Sequence, residues 1–321
     1  MEKDYRIPVT IITGFLGAGK TTLLNRIIQA YPDKKFAIIE NEFGEVGIDN
    51  ELVVDVEDGI FEMSNGCICC TLSSELLETL EKLLKQREKF DHILIETTGI
   101  AEPSSIAMPF LTTPVIQNHF KLDGTICLVD TQYIEDNLKD DENAAHQLSF
   151  SDLVLLNKSD LVTEEYANEV KSLLKNINPY AEYVKTINSD FNGKNLLNLN
   201  AFAPEKVEEK TSFIHHHHHH HHHHITSHSV SMEGIVNPQQ LEYWLTVLLQ
   251  LQGHAFYRIK GIFNFPDEQR KVIFQSVRNQ SALTLGSEWR SDEQRVNRMV
   301  FIGKELNKDI LEKRFKQCLL K

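Results

Sequence analysis

No apolar run in this 321-residue chain approaches the ~20 residues that a membrane-spanning helix needs. No secretory leader is expected either. Met1 to Arg6 is charged, and the first apolar run leads straight into a glycine-rich loop. A soluble, cytoplasmic protein with no membrane partner is expected. Positive charge is in short supply: lysine and arginine total 33 against 46 aspartates and glutamates, a formal net charge of −13. That argues against nucleic acid as the main partner. Cysteine is scarce, five in all, yet Cys67, Cys69 and Cys70 fall within four residues. In a reducing compartment such a cluster reads as metal-binding or redox-active rather than as disulfides. Cys127 lies in an apolar strand and is expected in the core, and Cys318 lies in the last helix.

The apolar fraction of 41% is ample for proper cores, and the length suits two domains. The stretch that organises the rest is Gly14-Phe15-Leu16-Gly17-Ala18-Gly19-Lys20-Thr21-Thr22. It fits G-x-x-x-x-G-K-[ST], follows the β-rich run Ile7–Thr13 and precedes the helical run Leu23–Ala30, the context that this motif requires. Its glycines let successive backbone N–H groups turn inward as an anion cradle, and the helix N-terminus adds positive potential. Gly14, Gly17, Ala18, Gly19, Lys20, Thr21 and Thr22 are therefore the phosphate-binding candidates. Lys20 would reach the β- and γ-phosphates, and the Thr21 hydroxyl would take a place on Mg²⁺.

Strand-like and helical runs alternate from Ile7 to about Asn188. The strands read as Ile7–Thr13, Phe36–Glu40, Leu52–Val56, His92–Thr97, Gly124–Asp130, Leu153–Asn157 and Tyr183–Ile187, with apolar helical stripes at Leu72–Glu88 and Glu164–Asn176. Several strands are continuous apolar runs, as a parallel sheet buried on both faces requires. The fold class expected is α/β, a doubly wound, mostly parallel P-loop sheet over 1–191. Residues 192–228 lack periodicity and read as a histidine-rich linker. Residues 229–321 read as a smaller carboxy-terminal α+β domain. It would hold a run at Ser229–Ile235, helices at Pro238–Leu251 and Lys308–Leu319, and strands at Ala255–Phe263, Lys271–Val277, Ser281–Leu285 and Arg298–Ile302.

Asn157-Lys158-Ser159-Asp160 ends an apolar strand and has the form N-K-x-D. Asp160 can accept from guanine N1–H and its exocyclic amine, donors that adenine lacks, and a buried carboxylate left unpaired would reject the wrong base. Asn157 can hold the other purine edge while the Lys158 stem lies along the ring. GTP is thus favoured over ATP. Glu96-Thr97-Thr98-Gly99 also ends a strand, and occupies the place where many GTPases carry D-x-x-G. Its Glu96 carboxylate can act on Mg²⁺ directly or through water, beside Lys20 in the catalytic pair. Asp49 and Asp130 are further candidates for Mg²⁺ or water positioning, or for solvated or capping roles. Ile100 and Ala101 follow Gly99 where a water-orienting glutamine would stand, and no arginine finger is readable, so slow intrinsic GTP hydrolysis is expected.

Cys67-Ile68-Cys69-Cys70 offers soft thiolates suited to Zn²⁺, Cu(I) or Co²⁺. Three on one tight loop cover one side of a metal and leave a fourth position for a ligand from elsewhere, or open. Glu40 and Glu45, in the acidic stretch Glu40–Asp49, are candidates for it, or belong to a solvated loop. The unbroken tract His215, His216, His217, His218, His219, His220, His221, His222, His223 and His224 can hold Zn²⁺, Ni²⁺ or Co²⁺ at overlapping positions, or serve as a spacer.

In order, GFLGAGKTTLLN, ENEFGEVGID, NGCICC, IETTGIAEP, LVD and LLNKSDL, followed by RIKGIF and RMVFIGKEL, resemble the CobW/HypB/UreG family of GTPases, in its CobW/YjiA-like branch. The resemblance covers nearly the whole chain. It implies a metallochaperone in which GTP binding is coupled to loading or delivery of a transition metal to a client metalloprotein. Zinc is the commoner cargo implied, and cobalt for cobalamin synthesis the other. Glu at position 96 follows the family's own pattern. Metal storage or sensing with a weak GTPase is the competing reading, and a homodimer is possible.

Overall fold

The structure is a computed structural model that describes residues 4–40, 60–64, 72–99, 101–191, 193–203, 205–208, 225–277 and 280–320. The chain divides into two compact units. One comprises Met1–Ser172 and Ala181–Asn200, the other Leu173–Tyr180 and Ala201–Lys321. Among the described residues no helix is long and apolar enough to cross a membrane.

In the first unit the order is β1 (Ile7–Gly14), α1 (Lys20–Ala30), β2 (Phe36–Glu40), β3 (Ile60–Ser64), α2 (Leu72–Leu84) and β4 (His92–Glu96). Then come α3 (Pro103–Thr112), α4 (Pro114–Gln117), β5 (Phe120–Asp130), α5 (Ile134–Asp140), α6 (Glu142–Phe150) and β6 (Leu153–Asn157). Helix α7 (Glu164–Ile177), which belongs to this unit up to Ser172, and β7 (Glu182–Lys185) follow. The strands form a seven-stranded sheet, β3-β2-β4-β1-β5-β6-β7, in which every neighbouring pair is parallel. Strands β4 and β6 are buried along their whole length, which is why they read as unbroken apolar runs rather than alternating ones. Around β1 the chain builds first to one side and then to the other. That reversal opens a crevice beyond the carboxyl ends of the strands. Helix α1 seals one face of the sheet with Leu23, Leu24 and Ile27, packed with Phe36, Ile38, Leu94, Ile126, Leu128 and Leu155.

Some elements differ from the sequence expectation. Strand β3 was not anticipated, and the expected strand Leu52–Val56 lies outside the described residues. Helix α3 escapes pattern reading because Pro109 stands inside it, a residue that usually breaks a helix. Helix α6 escapes it because small residues such as Ala144 and Ala145 fill its buried face. Residues 193–203, expected as linker, include Leu196 and Leu197, both buried in the first unit's core. A few apolar residues without a period give no signal in sequence, yet they pack.

Strand β5 starts at Phe120, earlier than expected, with a register shift against β1 between Val9 and Thr10. The shifted stretch holds a buried polar chain. His92 Nε2 meets Thr10 Oγ1 at 2.8 Å. Asp123 Oδ2 accepts from Thr10 Oγ1 at 3.4 Å and from Leu199 N at 2.9 Å. Burial pushes the His92 pKa down from 6.5 to about 3. Its contribution to stability is therefore present above 6.5 and is lost as pH falls toward 3. At full effect that loss is up to about 5 kcal/mol. Asp123 is shifted upward, chiefly by burial, so its contribution grows on acidification and works against that of His92. We expect His92→Gln to flatten the fall in stability between pH 6.5 and 3. Denaturant midpoints across that range check this; a fall as steep in the variant as in the wild type contradicts it.

The second unit carries β8 (Ile225–Glu233), α8 (Pro238–Gln252), β9 (Phe256–Phe263), β10 (Arg270–Val277), β11 (Gln280–Glu288), β12 (Val296–Lys304) and α9 (Lys308–Gln317). Its strands form a five-stranded sheet, β11-β10-β9-β12-β8, antiparallel throughout. Strand β8 starts before the expected boundary at 229. Alternation sends Ile259, Phe263, Val272, Phe274, Met299 and Phe301 to the face where α8 and α9 bury Leu241, Leu245, Leu311 and Phe315. Both helices start at an asparagine whose side chain accepts a backbone N–H: Asn237 from Gln240 and Asn307 from Ile310.

Candidate nucleotide site

Strand β1 stops where α1 starts, and the turn between them demands glycine. Gly19 sits at φ 107, in the left-handed region. A Cβ there would lie 2.7 Å from Asn157 Nδ2 and 2.8 Å from Ser189 Oγ, so both backbone and packing exclude a side chain. Ala18 is fully buried. Lys20, the first residue of α1, is only 8% exposed. Its ammonium donates to the carbonyls of Gly14 at 2.9 Å and Phe15 at 3.2 Å. Burial pushes its pKa down, while the charge of Glu96 pulls it back up. A cation held by carbonyl dipoles in so dry a place attracts an incoming anion strongly. Thr21 and Thr22 follow, exposed, at the helix start.

Thr21 Oγ1 donates to Glu96 Oε1 at 3.0 Å. The two Mg²⁺ candidates, far apart in sequence, are thus in contact. A hydroxyl and a carboxylate are hard oxygen donors of the kind Mg²⁺ takes beside phosphate and water, so the pair fits that ion. The neighbouring Thr97 is braced from β1: its N–H donates to Ile12 O at 2.9 Å and its hydroxyl to Thr13 Oγ1 at 3.0 Å. Parallel register puts Glu40 beside Glu96 at the strand ends. The Glu40 side chain, Glu45, Asp49, Cys67, Cys69, Cys70 and the histidines 215–224 lie outside the described residues. Among the described residues no group of three or more His, Cys, Asp and Glu can hold a metal ion.

Asn157 ends β6 directly beside Asp130 at the end of β5. Its amide is fully engaged within the protein. Nδ2 donates to Ala18 O at 2.8 Å and Ser189 Oγ at 3.1 Å. Oδ1 accepts from Ser189 N at 2.7 Å and Thr186 Oγ1 at 3.3 Å. Asn157 therefore links the phosphate loop to the loop after β7. Lys158, in the left-handed region at φ 57, directs its ammonium to Asp130 Oδ2 at 2.7 Å. Asp130 Oδ1 also caps the following turn by accepting from Gln132 N at 3.1 Å. The candidate water-positioning carboxylate is thus tied to the N-K-x-D lysine. Asp160, in a 3₁₀ turn, is exposed.

Sequence reasoning missed Thr186 and Ser189. Ser189 also donates through Oγ to Gly19 O at 3.0 Å, joining the phosphate loop to the loop after β7. The only local signal is two consecutive residues with positive φ, Asn188 at 50 and Ser189 at 57, a conformation that Asn tolerates and that the sequence does not announce.

A phosphate loop on the central strand, a strand-end acid on its Thr, and N-K-S-D at the end of β6 define a P-loop GTPase. The description "CobW/HypB/UreG, nucleotide-binding domain" matches residues 8–185, and "Cobalamin synthesis protein cobW C-terminal domain" matches 225–319. The chain belongs to the CobW/HypB/UreG family and is a GTPase. It is 34% identical to the zinc chaperone YjiA of Escherichia coli over 96% of this chain and 98% of that one. It is 31% identical to the zinc chaperone CobW of Pseudomonas aeruginosa, over 99% and 93%. It is 32% identical to the zinc-regulated GTPase metalloprotein activator 1 of Schizosaccharomyces pombe, over 85% and 75%. The crystal structure of the Zn(II)-bound YjiA GTPase from E. coli superposes with a TM-score of 0.79 at 30% identity, covering 98% of this chain and 99% of that one.

Proposed function

We propose that this chain is a zinc metallochaperone whose loading and release follow the GTP cycle. Backbone N–H groups from Gly14 to Thr22, among them Gly17, Ala18 and Gly19, cradle the phosphates. Lys20 binds the β- and γ-phosphates and stabilises the charge that develops on them. Thr21 and Glu96 hold Mg²⁺, which when bound screens the phosphate charge. Asp160 reads guanine, with Asn157 and Lys158 fixing the loop that presents it. Cys67, Cys69 and Cys70 take zinc, completed by Glu40 or Glu45, and the histidine tract collects further ions. The observation that carries the nucleotide half is the Thr21–Glu96 hydrogen bond beside the buried Lys20. The zinc half is supported by the thiolate cluster and by the names of the relatives.

Glu40 ends a strand in register with Glu96. A ligand on that strand end is therefore sensitive to whatever settles on Glu96, and nucleotide and zinc are expected to bind cooperatively. Typical couplings run from about 5- to 150-fold. Competition titrations of Zn²⁺ against a chelating dye, with GTP, GDP or no nucleotide, test this. Tighter zinc with Mg²⁺ and GTP than with GDP is the expected result, and Cys69→Ser is expected to erase the difference. Equal zinc affinity in all three conditions contradicts the coupling and favours storage.

A further inference from the structure

We propose that Gln147 is a positioning residue for hydrolysis, holding the loop after Glu96 against the phosphate loop so that GTP is distinguished from GDP; this rests on the GTPase reading above. Gln147 lies on α6, in none of the motifs, and is 2% exposed. Its Nε2 donates to Gly99 O at 2.9 Å and to Ala101 O at 3.3 Å. Both amide hydrogens are thereby directed at one short loop. The residue before it, His146, meets Glu102 Oε1 through Nδ1 at 3.0 Å. Two consecutive residues of one helix thus grip the loop at its beginning and at its end.

The opposite side of that loop has no slack. A Cβ on Gly99 would lie 2.7 Å from Leu16 N and 3.1 Å from Leu16 Cα. Gly99 is therefore clasped between the Gln147 amide and the backbone of the phosphate loop. Leu16 follows directly on Phe15, whose carbonyl, with that of Gly14, receives the Lys20 ammonium. Three residues before Gly99 stands Glu96, bonded to Thr21. A loop bounded by these groups borders the place where the terminal phosphate sits, the one group that GTP has and GDP lacks. The grip is also rigid from behind. Helix α6 is capped by the Asp141 side chain, which accepts Asn143 N at 2.8 Å. It is followed by Asp152, which accepts Thr125 N at 3.0 Å. If the Gln147 donors are lost, one buried and one half-buried carbonyl lose that partner and the loop can drift from the phosphate.

Two substitutions of similar shape test this. Gln147→Met removes the donors, and Gln147→Glu turns a carboxylate toward the two carbonyls. Both are expected to lower kcat for GTP about tenfold or more, the loss that follows from one buried hydrogen bond. GDP affinity should stay within about twofold, so the GTP-to-GDP preference falls. Ser149→Ala is the control. Its hydroxyl donates to Ala145 O at 2.6 Å on the same helix, so its loss changes a contact internal to α6 and should move neither kcat nor the preference. The inference is overturned if the Gln147 variants keep wild-type kcat and preference. It is equally overturned if they lose GTP and GDP affinity together, in step with a lowered melting temperature. A wild-type protein that binds no guanine nucleotide refutes the site reading itself, and is read from the wild type alone.

Discussion

Lys20→Met is expected to abolish GTP turnover and weaken GTP binding by about 10²- to 10⁴-fold, from two charge-assisted contacts of roughly 1.5–3 kcal/mol each. The same substitution is expected to leave the nucleotide-free protein as stable as the wild type, or more so. The reason is the burial of the ammonium against two carbonyls, with its pKa pushed down by desolvation. A base whose pKa is lowered on folding contributes stability only at high pH, and that contribution is lost as pH falls through the folded value. At neutral pH the wild type therefore carries the burial cost, and its stability relative to the variant should rise as pH climbs toward 10.5. Calorimetric GTP titration and thermal melts from pH 7 to 10 check both halves. Near-normal GTP affinity in the variant contradicts the phosphate assignment.

Asp160→Asn is the second large effect. The carboxylate can accept both N1–H and the exocyclic amine of guanine; an amide presents a donor where one acceptor was. Sites that depend on such a pair discriminate by about 10⁴–10⁵ when they are fully engaged. Asp160 is exposed in this structure, so we expect a smaller loss of GTP affinity, about 10²–10³-fold. Xanthosine triphosphate carries a carbonyl in place of the amine and should bind the variant better than GTP. Hydrolysis per bound nucleotide should survive, because Lys20, Thr21 and Glu96 are untouched. Competition between the two nucleotides measures the exchange, and unchanged GTP preference in Asp160→Asn removes Asp160 from base recognition.

The parts of this molecule that were legible in sequence are those where one local rule governs. The phosphate loop is legible because glycine spacing and strand–helix context are both local. Strands β4 and β6 are legible because full burial writes itself as an apolar run. Helix α8 is legible because Pro238 stands in its first turn. The unreadable parts are those where distant residues set the structure. Ser189 becomes important only because the fold brings it to Asn157 and Gly19. Asp130 turns out to hold Lys158 because β5 and β6 end side by side. Leu196 and Leu197 pack without any period, so composition alone suggested a linker. Gln147 carries no motif, and its meaning lies in which backbone carbonyls it meets.

The central claim is that one chain couples a guanine nucleotide to zinc, and linkage requires that coupling to be reciprocal. The most direct measurement is the GTP dissociation constant at zero and at saturating Zn²⁺, set beside the Zn²⁺ dissociation constant at zero and at saturating GTP, all with Mg²⁺. Zinc should tighten GTP by the same factor by which GTP tightens zinc. A factor of one in both directions would mean that the two ligands bind independently, and would contradict the account.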